Sequence, residues 1–139
     1  MTNDADQCFF RKIAADDIPI ELIEQIKTSD WTPERYLDFL RVVENSPLQF
    51  IFGIFRGVDL LGYVWCEANL LEMTLFIDTI SIKKQFKLDK KVSNEIIRLL
   101  KTFLKESGLR KIRFLTDRPA FFLRNGFKKS KQLLLELEE

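Results

Sequence analysis

Runs rich in β-branched and aromatic residues alternate along this chain with runs whose apolar residues recur at helical spacing. Phe9–Ile13 has the pattern of a short strand. Asp16 and Asp17 then supply N-cap chemistry for a helix near Pro19–Lys27. A second helix is expected over Pro33–Glu44, with Thr32 as N-cap and Pro33 at its first position, where a missing N–H costs nothing. Tyr36, Leu37, Leu40 and Val43 form its apolar stripe. Phe50–Phe55 and Leu60–Glu67 read as two strands of a hairpin around Arg56-Gly57-Val58-Asp59. Met73–Ile82 is a longer strand. The helix Lys90–Glu106 carries Val92, Ile96, Leu99, Leu100 and Phe103 on one face, widened by Ile97 and Leu104. Gly108 follows as its left-handed C′ residue. Lys111–Thr116 is a strand, Pro119–Arg124 a short helix, and Lys131–Glu138 alternates with Leu133, Leu135 and Leu137 on one face.

The resulting order, β-α-α-β-β-β-α-β-α-β, defines a layered α/β domain with a mixed sheet. The segment from Met73 to Thr116 is a strand–helix–strand crossover that sets two strands in parallel. A helix N-terminus following such a strand is a natural anion site. With 139 residues, and no linker, repeat or low-complexity stretch, the expectation is one domain over 1–139.

Composition narrows the chemistry. Hydrophobic residues make up 46% and charged residues 31%, the balance of a globular protein, and 13 phenylalanines imply a bulky core. A net charge of +1 provides no global field for nucleic acid or an acidic membrane. Basic residues cluster locally at Lys83–Lys91 and Lys128–Lys131, but with little aromatic interleaving, so nucleic acid is a weak expectation. Histidine is absent and the two cysteines, Cys8 and Cys66, lack metal-ligand spacing, so no metal site is expected. No apolar run approaches the roughly 20 residues of a membrane span. The N-terminal MTNDADQ is polar and acidic, unlike a signal peptide. These features together suggest a reducing, cytoplasmic setting.

Two motifs sit on this element order: IDTISIKKQFK at 77–87 and GLRKIRFLTDRPAFFLRNGFKKS at 108–130. Through them the chain resembles the GCN5-related N-acetyltransferase (GNAT) superfamily. The first is similar to the superfamily's fourth strand and its exit toward acyl-CoA. The second is similar to its fifth strand, the following helix and an ending of aromatic, three residues, Gly-Phe. The resemblance implies a mostly antiparallel mixed sheet with a parallel pair at its centre, flanked by helices. It also implies acyl transfer, of an acetyl group in the first instance, from acetyl-CoA or another acyl-CoA to a primary amine of a small molecule or peptide.

That reaction needs a base for the amine, backbone donors for an oxyanion and a proton for the departing thiolate. By the resemblance, Asp78 is the first candidate for the base, with Glu72 and Glu67 behind it; Glu67 and Trp31 are candidates for the acceptor pocket. A solvated or salt-bridged strand acid is the plainer reading of Asp78, and a helix staple the plainer reading of Trp31. Thr79–Ile82, chiefly Ile80, Ser81 and Ile82, would supply main-chain donors. The superfamily's proton-donating tyrosine falls on Phe122, whose simpler role, like that of Phe121, is core packing. The only tyrosines are Tyr36 and Tyr63.

The phosphate turn departs from the superfamily pattern of Gln or Arg, two residues, Gly, any residue, then Gly or Ala. Counted from Gln85, the small-residue positions fall on Leu88 and Lys90. Counted back from the helix stripe, they fall on Lys91 and Ser93. Neither register contains glycine, which elsewhere lets the backbone approach a pyrophosphate. Asp89, as N-cap, would compete for the same N–H groups. Lys83, Lys84, Lys87, Lys90 and Lys91 bring positive charge instead, either as point charges suited to phosphate or as a solvated basic loop, two readings of equal weight. Lys87, Lys90, Lys91, Val92 and Ser93 are therefore the candidate cofactor-binding residues of this turn. A second reading is a GNAT-fold binding module without catalysis that holds a protein or anionic partner. Trp65 and Cys66, as strand neighbours, should face opposite sides. Nothing around Cys66 in sequence suggests a nucleophile.

Overall fold

A computed structural model describes residues 7–25, 32–116, 119–131 and 135–138. Five strands form one sheet in the order of the chain: β1 (Cys8–Lys12), β2 (Gln49–Arg56), β3 (Asp59–Asn69), β4 (Thr74–Ile82) and β5 (Lys111–Phe114). The first four are antiparallel, and β4 and β5 are parallel. The helices are α1 (Ile20–Ile23), α2 (Pro33–Val43), α3 (Lys90–Ser107) and α4 (Ala120–Arg124).

Local chemistry explains most boundaries. Thr32 accepts a hydrogen bond from the Arg35 N–H, and Pro33 opens α2. Gly57, at φ +63°, turns β2 into β3, and Gly108, at φ +76°, ends α3 in the left-handed region. At the start of α1 the expectation differs. Asp16 and Asp17 lie in a separate 3-10 turn, where the Asp17 carboxylate accepts from the Ala14 N–H. Pro19 then precedes α1, without a side-chain cap.

The sheet is packed on both faces. On one, Ile54, Leu61, Val64, Cys66, Leu75 and Ile77 meet the α3 stripe of Val92, Ile96, Leu99 and Leu100. On the other, Ile51, Phe55 and Tyr63 meet Leu22 and Ile23 of α1 and Tyr36, Leu40 and Val43 of α2. Trp65 belongs to the second face and Cys66 to the first, as strand alternation requires.

Two β-bulges interrupt that alternation. Ile54 pairs with Gly62 and Phe55 with Leu60, which leaves Leu61 as an extra residue in β3. Thr79 pairs with Trp65 and Ile77 with Cys66, which leaves Asp78 extra in β4. The α3 side therefore takes Leu75 and Ile77 before Asp78, and Ile80 and Ile82 after it. One inserted residue switches the apolar positions from odd to even while the hydrophobic layer stays continuous.

Two expectations at the C-terminal end need correction. The parallel pair lies at the edge of the described sheet, because no strand pairs beyond β5 among the described residues. The expected strand Lys131–Glu138 partly falls outside them, at 132–134; residues 135–138 carry no strand, and Leu135 and Leu137 are exposed. The leucine alternation marks a surface able to pair, but strand formation needs a partner edge and a covered face.

Candidate active site

The parallel pairing of β4 with β5 spans Thr74–Ile77 against Lys111–Phe114 and stops there. β4 runs on through Asp78 to Ile82, bonded to β3 on one side, with no strand against its other edge among the described residues. The bulge stands where the two strands part. This edge offers main-chain donors and acceptors to an extended amide chain such as pantetheine, by strand addition.

Asp78 is solvent-accessible at this point. Partial loss of solvation, then the negative charge and hydrogen bond of Glu67, push its carboxyl up to about 7. The register brings the two carboxyls together, with Asp78 bulging from β4 beside the Glu67–Phe76 pair. Glu67 lies two residues beyond Trp65 on β3, on the α1–α2 side of the sheet. Asp78 is thereby poised to exchange a proton near pH 7, which is the property of a general base.

Behind the carboxyls lies a layer of hydroxyl groups that the sequence did not single out. The Tyr36 and Tyr63 hydroxyls are 3.0 Å apart and buried. Burial raises the pKa of Tyr36, opposed by its hydrogen bonds to Tyr63 and Thr79; the charge of Asp78 raises it further. Burial likewise raises that of Tyr63. Both phenols stay protonated at neutral pH. Tyr36 was legible as part of a helix stripe and Tyr63 as a strand residue, but no local pattern joins residues on different elements.

The end of β4 is clasped from α1. Ser81 Oγ donates to Gln25 Oε1 at 3.2 Å, and Gln25 Nε2 donates to the Ile82 carbonyl at 3.2 Å. Lys83 pairs with Glu21 at 3.5 Å, and its N–H donates to the Leu61 carbonyl at 2.8 Å. On β3, Gly62 lies opposite Ile82. A Cβ at Gly62 would collide with the Ser81 carbonyl oxygen, so the approach of the two backbones needs glycine here.

After β4, Lys84–Phe86 form a 3-10 turn and α3 starts at Lys90. Asp89 Oδ1 accepts from the N–H groups of Lys91 at 2.9 Å and Val92 at 3.3 Å. The Ser93 N–H donates to the Asp89 carbonyl. The capping residue thus occupies amides that a pyrophosphate would use. The turn has no left-handed residue, so no concave nest of amides forms. Val92 is buried, which favours the register that places the small-residue positions on Lys91 and Ser93. Fit to a coenzyme A is therefore uneven: the strand edge suits its amide arm, while phosphate recognition falls to lysine charge. The second basic cluster, at 128–131, lies along the C-terminal half of α3 with Lys101 and Leu104. At 1.5 Å per residue, that is about 15–20 Å from the first.

The remaining candidates are dispersed. Glu72 sits at the β3–β4 turn, ion-paired with Arg113 at 3.3 Å. Six residues of strand, about 20 Å, separate it from Asp78. Trp31 lies outside the described residues. Phe122 packs against Phe114 and Phe127, with ring centroids 4.5 and 5.5 Å away, and against Phe121. Cys66 is buried, and burial with the nearby Asp78 and Glu67 charges pushes its thiol up to about 12, which leaves it inert.

No protein-family model matches this sequence, and neither does any curated protein. Solved structures do match. A possible acetyltransferase from Clostridium difficile 630 is similar with TM-score 0.75 at 9% identity, over 96% of this chain and 99% of that one. AAC(6')-Iy, solved with the bisubstrate analogue CoA-S-monomethyl-acetylneamine, gives 0.70 at 11% over the same shares. Glucosamine-6-phosphate N-acetyltransferase from Arabidopsis thaliana gives 0.62 at 16%, over 96% and 100%. The likeness is one of architecture along almost the whole length: this chain has the GNAT fold.

Proposed function

We propose that the chain is an acyl-CoA-dependent N-acyltransferase that acylates a primary amine, with acetyl as the group transferred. The observation that carries this reading is the Asp78 bulge, which sets a carboxyl of raised pKa beside the edge of β4 that no strand pairs with among the described residues. The cofactor supplies an activated acyl thioester. The β4 edge at Ile80–Ile82 aligns its amide arm. Lys87, Lys90 and Lys91 balance its phosphates as point charges, in a solvated setting that makes binding salt-sensitive. Asp78, with Glu67, draws the proton from the bound ammonium group. Phe122 has no proton to give, so a departing thiolate would have to take its proton from water. Among the similar structures, one holds a bisubstrate analogue built on coenzyme A and another is named for acting on glucosamine 6-phosphate.

The test is calorimetric titration with acetyl-CoA, followed by an acetyl-transfer assay across amines. Binding, with transfer lost in Asp78→Asn, is the expected result. Absence of binding at millimolar acetyl-CoA would remove the reading. In that event a second reading takes over, a GNAT-fold binding module for an anionic or protein partner, which the occupied Lys91 and Val92 amides favour.

A further inference from the structure

On the α1–α2 side of the sheet, the packed cluster of described residues reaches as far as Trp65. Beyond it a groove of about 620 Å³ runs from Glu67 past Leu48, Phe76 and Leu70 to the Glu72–Arg113 ion pair. Phe76 lies opposite Glu67 on β4 and Arg113 beside Phe76 on β5, so the three form one row across the sheet. Leu48 and Leu70 are exposed at 44% and 58%. The volume is that of a small-molecule site.

The charges along this groove are asymmetric. At one end the Glu67 carboxyl lines the groove, with Asp78 at the neighbouring bulge. At the far end stands the Glu72–Arg113 ion pair. Between them Leu48, Phe76 and Leu70 give the wall an apolar stretch, with Asn69 and Thr74 also lining it. A cationic nitrogen is favoured at one end only, and a second cation at the other end would meet the guanidinium.

We propose that this groove binds the acyl acceptor, and that the acceptor is a singly charged primary amine on an apolar body rather than a polycation. The inference deepens the acyltransferase reading and rests on it for the word acceptor. The ammonium lies against Glu67 and Asp78, and its apolar body lies over Phe76 between Leu48 and Leu70. Each methylene removed from water adds affinity, so an acceptor should bind more tightly with chain length until the groove is filled.

The experiment is an NMR shift titration of the full chain, without cofactor, using ethylamine, hexylamine, spermidine and hexanoate. The expected order is hexylamine tightest, by about tenfold or more over ethylamine, given four added methylenes. Spermidine and hexanoate should be weaker than hexylamine. The surface variant Leu48→Ser/Leu70→Ser should reduce the hexylamine-to-ethylamine ratio several-fold. Glu67→Gln should weaken both amines alike. Equal affinities for the two monoamines, tighter binding of spermidine, or a ratio unmoved in the leucine variant would overturn the proposal. If the binding order holds but no acetyl transfer to hexylamine occurs, the groove stands and the acyltransferase reading falls. If transfer proceeds only to polycations, the reverse holds.

Discussion

The hydroxyl of Tyr36 on α2 meets that of Tyr63 on β3 at 3.0 Å, in the buried layer behind Asp78. This contact fixes the helix that floors the site to the strand that carries Glu67. Tyr63→Phe leaves the Tyr36 hydroxyl with one partner fewer in a dry layer, at an expected cost of about 1–3 kcal/mol. Tyr36→Phe should cost a similar amount, and the double variant less than the sum of the two. Urea unfolding of the four proteins gives the coupling. Strictly additive losses would mean that the two hydroxyls do not interact.

The raised pKa of Asp78 gives opposite pH trends for stability and for rate. Between the ordinary carboxyl value of 3.8 and about 7, the native chain holds a proton that the unfolded chain has released. The native state is the one that binds more protons, so this group's contribution to stability declines as pH rises through that window. On the acyltransferase proposal, transfer needs Asp78 deprotonated, so its rate should rise through about pH 7. Melting curves from pH 4 to 8 should show a shallower decline for Asp78→Asn than for the parent. An unchanged slope would place the titrating group elsewhere.

Asp89→Ala separates two roles of one carboxylate. Losing the cap on Lys91 and Val92 should lower stability by about 1 kcal/mol. Removing a negative charge among lysines and freeing those amides should tighten coenzyme A binding. A lower melting temperature with a smaller dissociation constant is the expected pair of results. Weaker binding would mean that the capped helix is itself part of the recognition surface.

Gly62→Ala tests the close approach of β3 to the end of β4. The new methyl meets the Ser81 carbonyl and the Ile82 backbone, neither of which is a flexible side-chain end. The expected penalty is about 1–3 kcal/mol, with a displaced β4 end. Amide exchange should quicken at Ser81–Lys83 before the rest of the sheet. Uniform exchange across the sheet would indicate that the strain spreads instead.

What the sequence disclosed depended on the range of the physics involved. Thr32-Pro33, Gly57, Gly108 and the Val92–Leu100 stripe act within a few residues, and each was legible. So was the competition between Asp89 and a phosphate, because a cap and its amides are chain neighbours. Asp78 could be chosen only through a resemblance; that it bulges depends on pairing with β3, which no local pattern contains. The Tyr36–Tyr63 contact and the Gln25 clasp on Ser81 and Ile82 join residues 27 and more than 50 apart. At the C-terminal end the error ran the other way: Leu135 and Leu137 satisfy the strand pattern, but alternation alone does not create an edge to pair with.

Because Asp78 is the surplus residue of its strand, it belongs to neither face's count. Exchanging its side chain leaves the order of apolar positions undisturbed, so the chemistry at this point can change by substitution at little structural cost. Deleting it would reverse everything downstream: Ile80 and Ile82 would turn toward the tyrosines, and Ser81 toward α3. The position is open to evolution in identity and closed to it in length.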